Sequence, residues 1–151
     1  SEQAAMVNGM IFLGAIIGSP LAGRLADVLN ARKPVMLFTS IAAMIVFSII
    51  LFSPNLSVPL LASLFLLLGI AAGSQALGYT VAIEGNPSHI AASVTSFVSI
   101  VTIAGAMLFQ PIFGELLHAG QTANTYNFTG AMLSILMMLG VGVVSSACIK
   151  E

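Results

Sequence analysis

Five stretches of this sequence, each about twenty residues or longer, run almost without a charged side chain. They cover about residues 4–22, 34–52, 58–83, 90–117 and 128–149. A helix needs roughly 20 mostly apolar residues to cross about 30 Å of hydrocarbon, and each run is long enough. In lipid, backbone N–H and C=O groups must be satisfied internally, which leaves helices and closed barrels. The runs are continuously apolar and do not alternate every second residue, so they read as helices. The expected fold class is an all-α integral membrane protein with five transmembrane helices.

The charge content agrees. Only 6% of the 151 residues are charged, against about 25% in a soluble domain. Four basic and five acidic side chains cannot coat a water-exposed globule of this size. A net charge of −1, with no basic stretch beyond Arg24–Lys33, argues against a nucleic-acid partner. Cys148 is the only cysteine, so no intrachain disulfide can form. The opening "SEQAAMVNGM" has neither an initiator Met nor a basic leader. It reads as a piece cut from something longer and not as a signal peptide. One transmembrane helical domain over 1–151 is expected, without a soluble domain or a low-complexity linker.

The breaks between runs carry turn chemistry. "SPNLSVP" (Ser53–Pro59) is rich in Pro and Asn. In "EGNPSH" (Glu84–His89), Gly85 can stop one helix, and Asn86–Pro87 can cap and start the next. "HAGQTANTYN" (His118–Asn127) is the longest polar connection. Three of the four basic residues, Arg24, Arg32 and Lys33, gather in the first break. Lys and Arg accumulate in short cytoplasmic loops, so this turn is expected inside. Alternation then places Ser53–Pro59 outside, Glu84–His89 inside, His118–Asn127 outside and the tail with Lys150 inside. Both expected outer loops lack Lys and Arg.

Gly23, Leu25, Ala26, Asp27, Arg32 and Lys33 form an ordered pattern in the same turn. It resembles the G-x-L-A-D-x-x-G-R-K signature of the major facilitator superfamily. Val28 stands where the family usually has Arg, Asn30 where it has Gly, and Ala31 where it often has Arg. That decay resembles the second, weaker copy of the signature, between the family's eighth and ninth helices. Gly78–Leu117 is similar to the tenth-to-eleventh helix region, with Glu84 and Pro87 at the inner turn and Gln110, Pro111 and Gly114 near the outer end. The resemblance spans nearly the whole chain and implies helices eight to twelve of a transporter. It also implies that Gly23, Arg24, Asp27, Arg32 and Lys33 belong to a latch closing the cytoplasmic ends of the two halves. In that latch Asp27 would meet the positive end of a helix in the other half. Read from charge alone, Arg24, Arg32 and Lys33 are topogenic.

Small residues let helices approach in lipid. Gly14 and Gly18 form a G-x-x-x-G pair in the first run, and Gly69 and Gly73 another in the third. Both are expected packing seams. At 100° per residue, Gln75 and Tyr79 share a face turned away from the second pair. In the fourth run Thr95, Ser99, Thr102, Ala106 and Gln110 line one stripe. Such a stripe lines a lumen or a hydrogen-bonded helix seam, or its hydroxyls bond back to their own helix. Asn8 is a lone polar residue in the first run. Asn8, Gln75, Tyr79, Thr95, Ser99, Thr102 and Gln110 are the candidate solute-lining residues, and Pro111 is expected to bend the fourth helix. The second and fifth runs offer only Ser and Thr, matching the family's peripheral helices.

No ionisable residue lies near the middle of any run, so these spans contain no proton relay of the usual kind. A serine or metal enzyme needs a His base or a ligand cluster. His89 and His118 are expected on opposite sides of the membrane and form no catalytic set. The expected function is secondary active transport of a small solute by alternating access, with or without a coupling ion. Neither cofactor nor metal is expected. The expected partners are the solute, the lipid bilayer and the remaining helices of a parent transporter. The uncharged polar groups favour a neutral or zwitterionic solute, and the loop-poor design favours a bacterial inner membrane. A non-transporting scaffold or receptor-like helical domain is the alternative.

Overall fold

The computed structural model describes residues 2–53, 55–119, 121–122, 125–126 and 128–149. Lys150 and parts of the Ser53–Pro59 and His118–Asn127 connections lie outside them. The helices are α1 (Glu2–Leu29), α2 (Lys33–Phe52), α3 (Val58–Ala72), α4 (Gln75–Glu84), α5 (Ala91–Ala119) and α6 (Thr129–Cys148). A 3₁₀ turn, Ser88–Ile90, leads into α5. Five helical stretches among the described residues are long and apolar enough to cross a membrane, α3 and α4 together making one of them. The fold is the expected all-α membrane class.

Several boundaries differ from the sequence reading for identifiable reasons. The first run was expected to end near Ala22, yet α1 continues to Leu29 and passes through Pro20. Its 28 residues span about 42 Å at 1.5 Å each, more than the hydrocarbon thickness. The helix stops where the chain turns left-handed at Asn30, with φ of 49°. The Asn30 N–H donates to the Asp27 carbonyl at 3.2 Å, and the Ala31 N–H to the Ala26 carbonyl at 3.2 Å. This pair of bonds is a Schellman cap, which needs a left-handed residue at Asn30's position. Asn tolerates that conformation better than other residues with a side chain.

The third run is two helices rather than one, broken at Gly73–Ser74. Across the break the chain uses three-residue steps. Ser74 N–H donates to Ala71 O at 3.3 Å, Ala76 N–H to Gly73 O at 3.4 Å, and Leu77 N–H to Ser74 O at 2.9 Å. At the next connection Gly85 does end α4, but Asn86 caps the helix behind it. Its Nδ2 donates to the Ala82 carbonyl at 2.8 Å. Pro87 therefore precedes the 3₁₀ turn without an Asn cap, correcting the expected cap-and-start at Asn86–Pro87. Gln121–Thr122 (β1) and Thr125–Tyr126 (β2) pair antiparallel, with Gln121 opposite Tyr126.

The chain divides into two compact units, Ser1–Gly78 with Met138–Glu151, and Tyr79–Met137. In the first, α1 lies directly on α3, and the two G-x-x-x-G pairs face each other. A methyl placed on Gly14 would sit 2.8 Å from the Ile70 nitrogen, and one on Gly73 2.5 Å from Gly18 C and Ser19 N. At Gly18 it would strike the Ile70 carbonyl, and at Gly69 the Ile11 carbonyl. Below this seam Ala22, Ala26, Val35 and Leu77 form a small apolar cluster, with Met36 against it. In the second unit no described side chain of α5 is buried.

The seam predicts opposite signs for one substitution at two places. Gly69→Ala should destabilise the chain by about 1–3 kcal/mol, because backbone must move. Gly9→Ala, where a methyl meets nothing within 4 Å, should be neutral or stabilising by up to about 1 kcal/mol through helix propensity. Thermal unfolding in detergent distinguishes the two.

Candidate functional site

The charged turn is built by the end of α1 and the start of α2. Two helical faces divide the labour. Ala22 and Ala26 are buried against Val35 and Leu77, while Arg24, Leu25 and Asp27 are exposed. Gly23 is half-buried, and a methyl there would meet nothing within 4 Å. The Schellman cap turns the chain so that Arg32 becomes the N-cap of α2 and Lys33 its first residue, followed by Pro34 in the first turn. Pro suits that position, where no intrahelical N–H bond is available. Both Arg32 and Lys33 are half-buried. The short turn thus gathers three cations and one carboxylate about two helix ends. Glu84 and Pro87 are exposed at the end of α4 and before the 3₁₀ turn.

The solute-lining candidates are dispersed over three helices. Asn8 is exposed on α1 and Gln75 on the first turn of α4, while Tyr79 is half-buried. On α5, Thr95 and Ser99 are half-buried, and Thr102 and Gln110 exposed. Each hydroxyl of the stripe bonds back to its own helix. Thr95 Oγ1 donates to Ala91 O at 2.9 Å, Ser99 Oγ to Thr95 O at 3.0 Å, and Thr102 Oγ1 to Val98 O at 2.8 Å. This is the local satisfaction open to Ser and Thr in any helix. The hydroxyl oxygens keep acceptor capacity along an open face. Pro111 lies inside the continuous helix α5, and Phe109 and Phe113 flank it with ring centroids 6.2 Å apart.

Two interhelical hydroxyl contacts involve α2, a helix expected to be featureless. Thr39 Oγ1 of α2 donates to Ser74 Oγ at 2.7 Å, and Ser74 Oγ donates to Ala71 O at 2.9 Å. Ser40 Oγ lies 3.3 Å from Ser146 Oγ of α6. Adjacent hydroxyls at 39 and 40 in an otherwise apolar run were the available sequence signal. An open apolar groove of about 480 Å³ runs along one face of α2 between Ile41 and Ser53 and includes none of the solute-lining candidates. Among the described residues no three His, Cys, Asp or Glu side chains group as metal ligands would.

Five apolar helical spans, a glycine-locked helix pair and a capped cationic turn define a multi-pass membrane protein. The family model of the Major Facilitator Superfamily matches residues 1–148. The chain belongs to that superfamily, whose members are membrane transporters and not enzymes. No curated protein and no solved structure matches it.

Two substitutions follow from this geometry. Asn30→Val should destabilise the chain by about 1–2 kcal/mol, because a β-branched residue resists the left-handed cap, whereas Asn30→Gly should preserve stability. Thr102→Val should shift stability by less than about 0.5 kcal/mol, since its hydroxyl serves only its own helix. Unfolding midpoints of the three variants measure both effects.

Proposed function

We propose that the chain is part of the C-terminal half, helices eight to twelve, of a secondary active transporter that moves a small solute by alternating access. The observation that carries this reading is the signature turn at residues 23–33 within a chain matched by the family model over 1–148. The cap at Asn30 supports it. Asn30 stands where the signature has Gly, and it holds a left-handed conformation that Gly and Asn favour. Alternating access needs two halves that rock about a midplane site, and five spans supply part of one. The remaining helices of the parent transporter supply the other walls and the partner of Asp27.

In this reading the charged turn is inside, the C-terminus is cytoplasmic and the membrane is a bacterial inner membrane. Asp27, exposed at the end of α1, is available to the positive N-terminal end of a helix in the other half. Gly23, Arg24, Arg32 and Lys33 are the other members of that latch. Glu84 and Pro87 mark the second inner turn. Thr95, Ser99, Thr102 and Gln110 on α5, with Asn8, Gln75 and Tyr79, line the solute path. The uncharged set suits a neutral or zwitterionic solute, with or without a coupling ion.

The test uses the full transporter in liposomes. Asp27→Asn removes an interaction of about 1 kcal/mol between carboxylate and helix end. It should shift the balance of the two access states about fivefold and lower uptake accordingly. The chain alone should transport nothing. Uptake by the chain alone, or exterior labelling of a cysteine placed at Lys33, would refute the proposal. Preserved folding with no uptake of any solute by the full protein would favour the scaffold alternative.

A further inference from the structure

We propose that the hydroxyl face of α5 receives the protonated amine of a zwitterionic solute, because Thr95, Ser99 and Thr102 present acceptors there and keep their donors within the helix. The inference rests on the reading of this face as part of a solute path, and it narrows the solute class which that reading leaves open.

A hydroxyl has one proton to donate and two lone pairs with which to accept. On α5 the proton of each is engaged by its own helix. Thr95 donates to the Ala91 carbonyl, Ser99 to Thr95 and Thr102 to Val98, at 2.9, 3.0 and 2.8 Å. The neighbouring Ser96 hydroxyl does the same with Ala92, at 3.0 Å. The lone pairs are what these oxygens have left to offer. A solute that donates therefore adds a hydrogen bond at each oxygen and breaks none. A solute that accepts must first draw the proton off its carbonyl, so it exchanges one bond for another and gains little. A hydroxyl that is already donating is also a stronger acceptor, since hydrogen bonds in a chain polarise one another.

The spacing suits a single nitrogen. Side chains three residues apart on a helix, as Ser99 and Thr102 are, have Cβ atoms about 5–6 Å apart. One nitrogen reaches both oxygens with contacts of about 2.9 Å. A protonated amine brings three donors and no acceptor, which matches a face of acceptors. Between Ala91 and Gly114 there is no Asp or Glu. A bare cation held there would lack a counter-charge on α5, and an unpaired buried charge is costly. A zwitterion carries its own carboxylate and avoids that cost.

Ligand-induced shifts in the unfolding midpoint of the full transporter, purified in detergent, test the assignment. The probes are unbranched amino acids of increasing chain length. Each is compared with its N,N,N-trimethyl derivative, which keeps both charges but has no N–H, and with the carboxylate lacking the amine. At least one amino acid should raise the midpoint. Its trimethyl derivative should bind about 25-fold more weakly, the weight of two hydrogen bonds. Ser99→Ala and Thr102→Val should each weaken binding of the amino acid about fivefold, the weight of one. Thr102→Ser, which returns the oxygen, should bind as the wild type does. The proposal is overturned if no amino acid shifts the midpoint, or if the trimethyl derivative or the amine-free carboxylate binds as tightly. It is also overturned if Ser99→Ala and Thr102→Val both leave amino-acid binding unchanged. Uptake in liposomes separates this proposal from the transport reading beneath it. Uptake confined to solutes without an amine overturns the amine assignment and leaves transport standing. Amino-acid binding that depends on Ser99 and Thr102, with no uptake of any solute, supports the assignment and overturns transport.

Discussion

Backbone-to-backbone contact between α1 and α3 is the constraint from which the rest of the first unit follows. In lipid, apolar side chains gain little by leaving one hydrocarbon environment for another. Close packing must supply the attraction instead, and it does so where no side chain intervenes. Gly14 and Gly18 meet Ile70, while Gly69 and Gly73 meet Ile11 and the Gly18–Ser19 peptide. With the two axes drawn so near, the small residues Ala22 and Ala26 can close over Leu77 and Val35 further along. The third span breaks directly after Gly73, the last glycine of the seam.

The charged turn depends on that packing in a second way. Ala26 is almost fully buried, at 2% exposure, although it lies between exposed residues of the signature. Its burial orients the end of α1, and the Schellman bonds from Asn30 and Ala31 then fix where the chain leaves the helix. Arg24 and Asp27 face outward as a consequence. The turn is a structural device first, its conformation set by these two backbone bonds and by the burial of Ala26.

The family, the helical class and the number of spans were legible from the apolar runs and the order of the signature residues. The packing role of both glycine pairs was legible too, since small residues in lipid have few other uses. The α5 stripe was recognised as a stripe, but its three open readings could not be separated by spacing alone. Back-bonding by Thr95, Ser99 and Thr102 depends on rotamers, and one-dimensional periodicity carries no rotamer information. The Thr39–Ser74 link was not legible because its two members lie 35 residues apart on different, mostly apolar spans. An Asn between two helices can cap either one, and only the chain path decides that Asn86 reaches the Ala82 carbonyl behind it.

By itself the sequence determined the solvent, the secondary structure and the family. Hydrocarbon length, charge scarcity and residue order act locally along the chain, so they can be read locally. The tertiary structure alone decided which glycines oppose which, where the third span breaks, and which hydroxyls of α2 reach a neighbouring span. Those outcomes depend on the distance between backbones that are remote in sequence. That distance is set by contact, a quantity the order of residues does not contain.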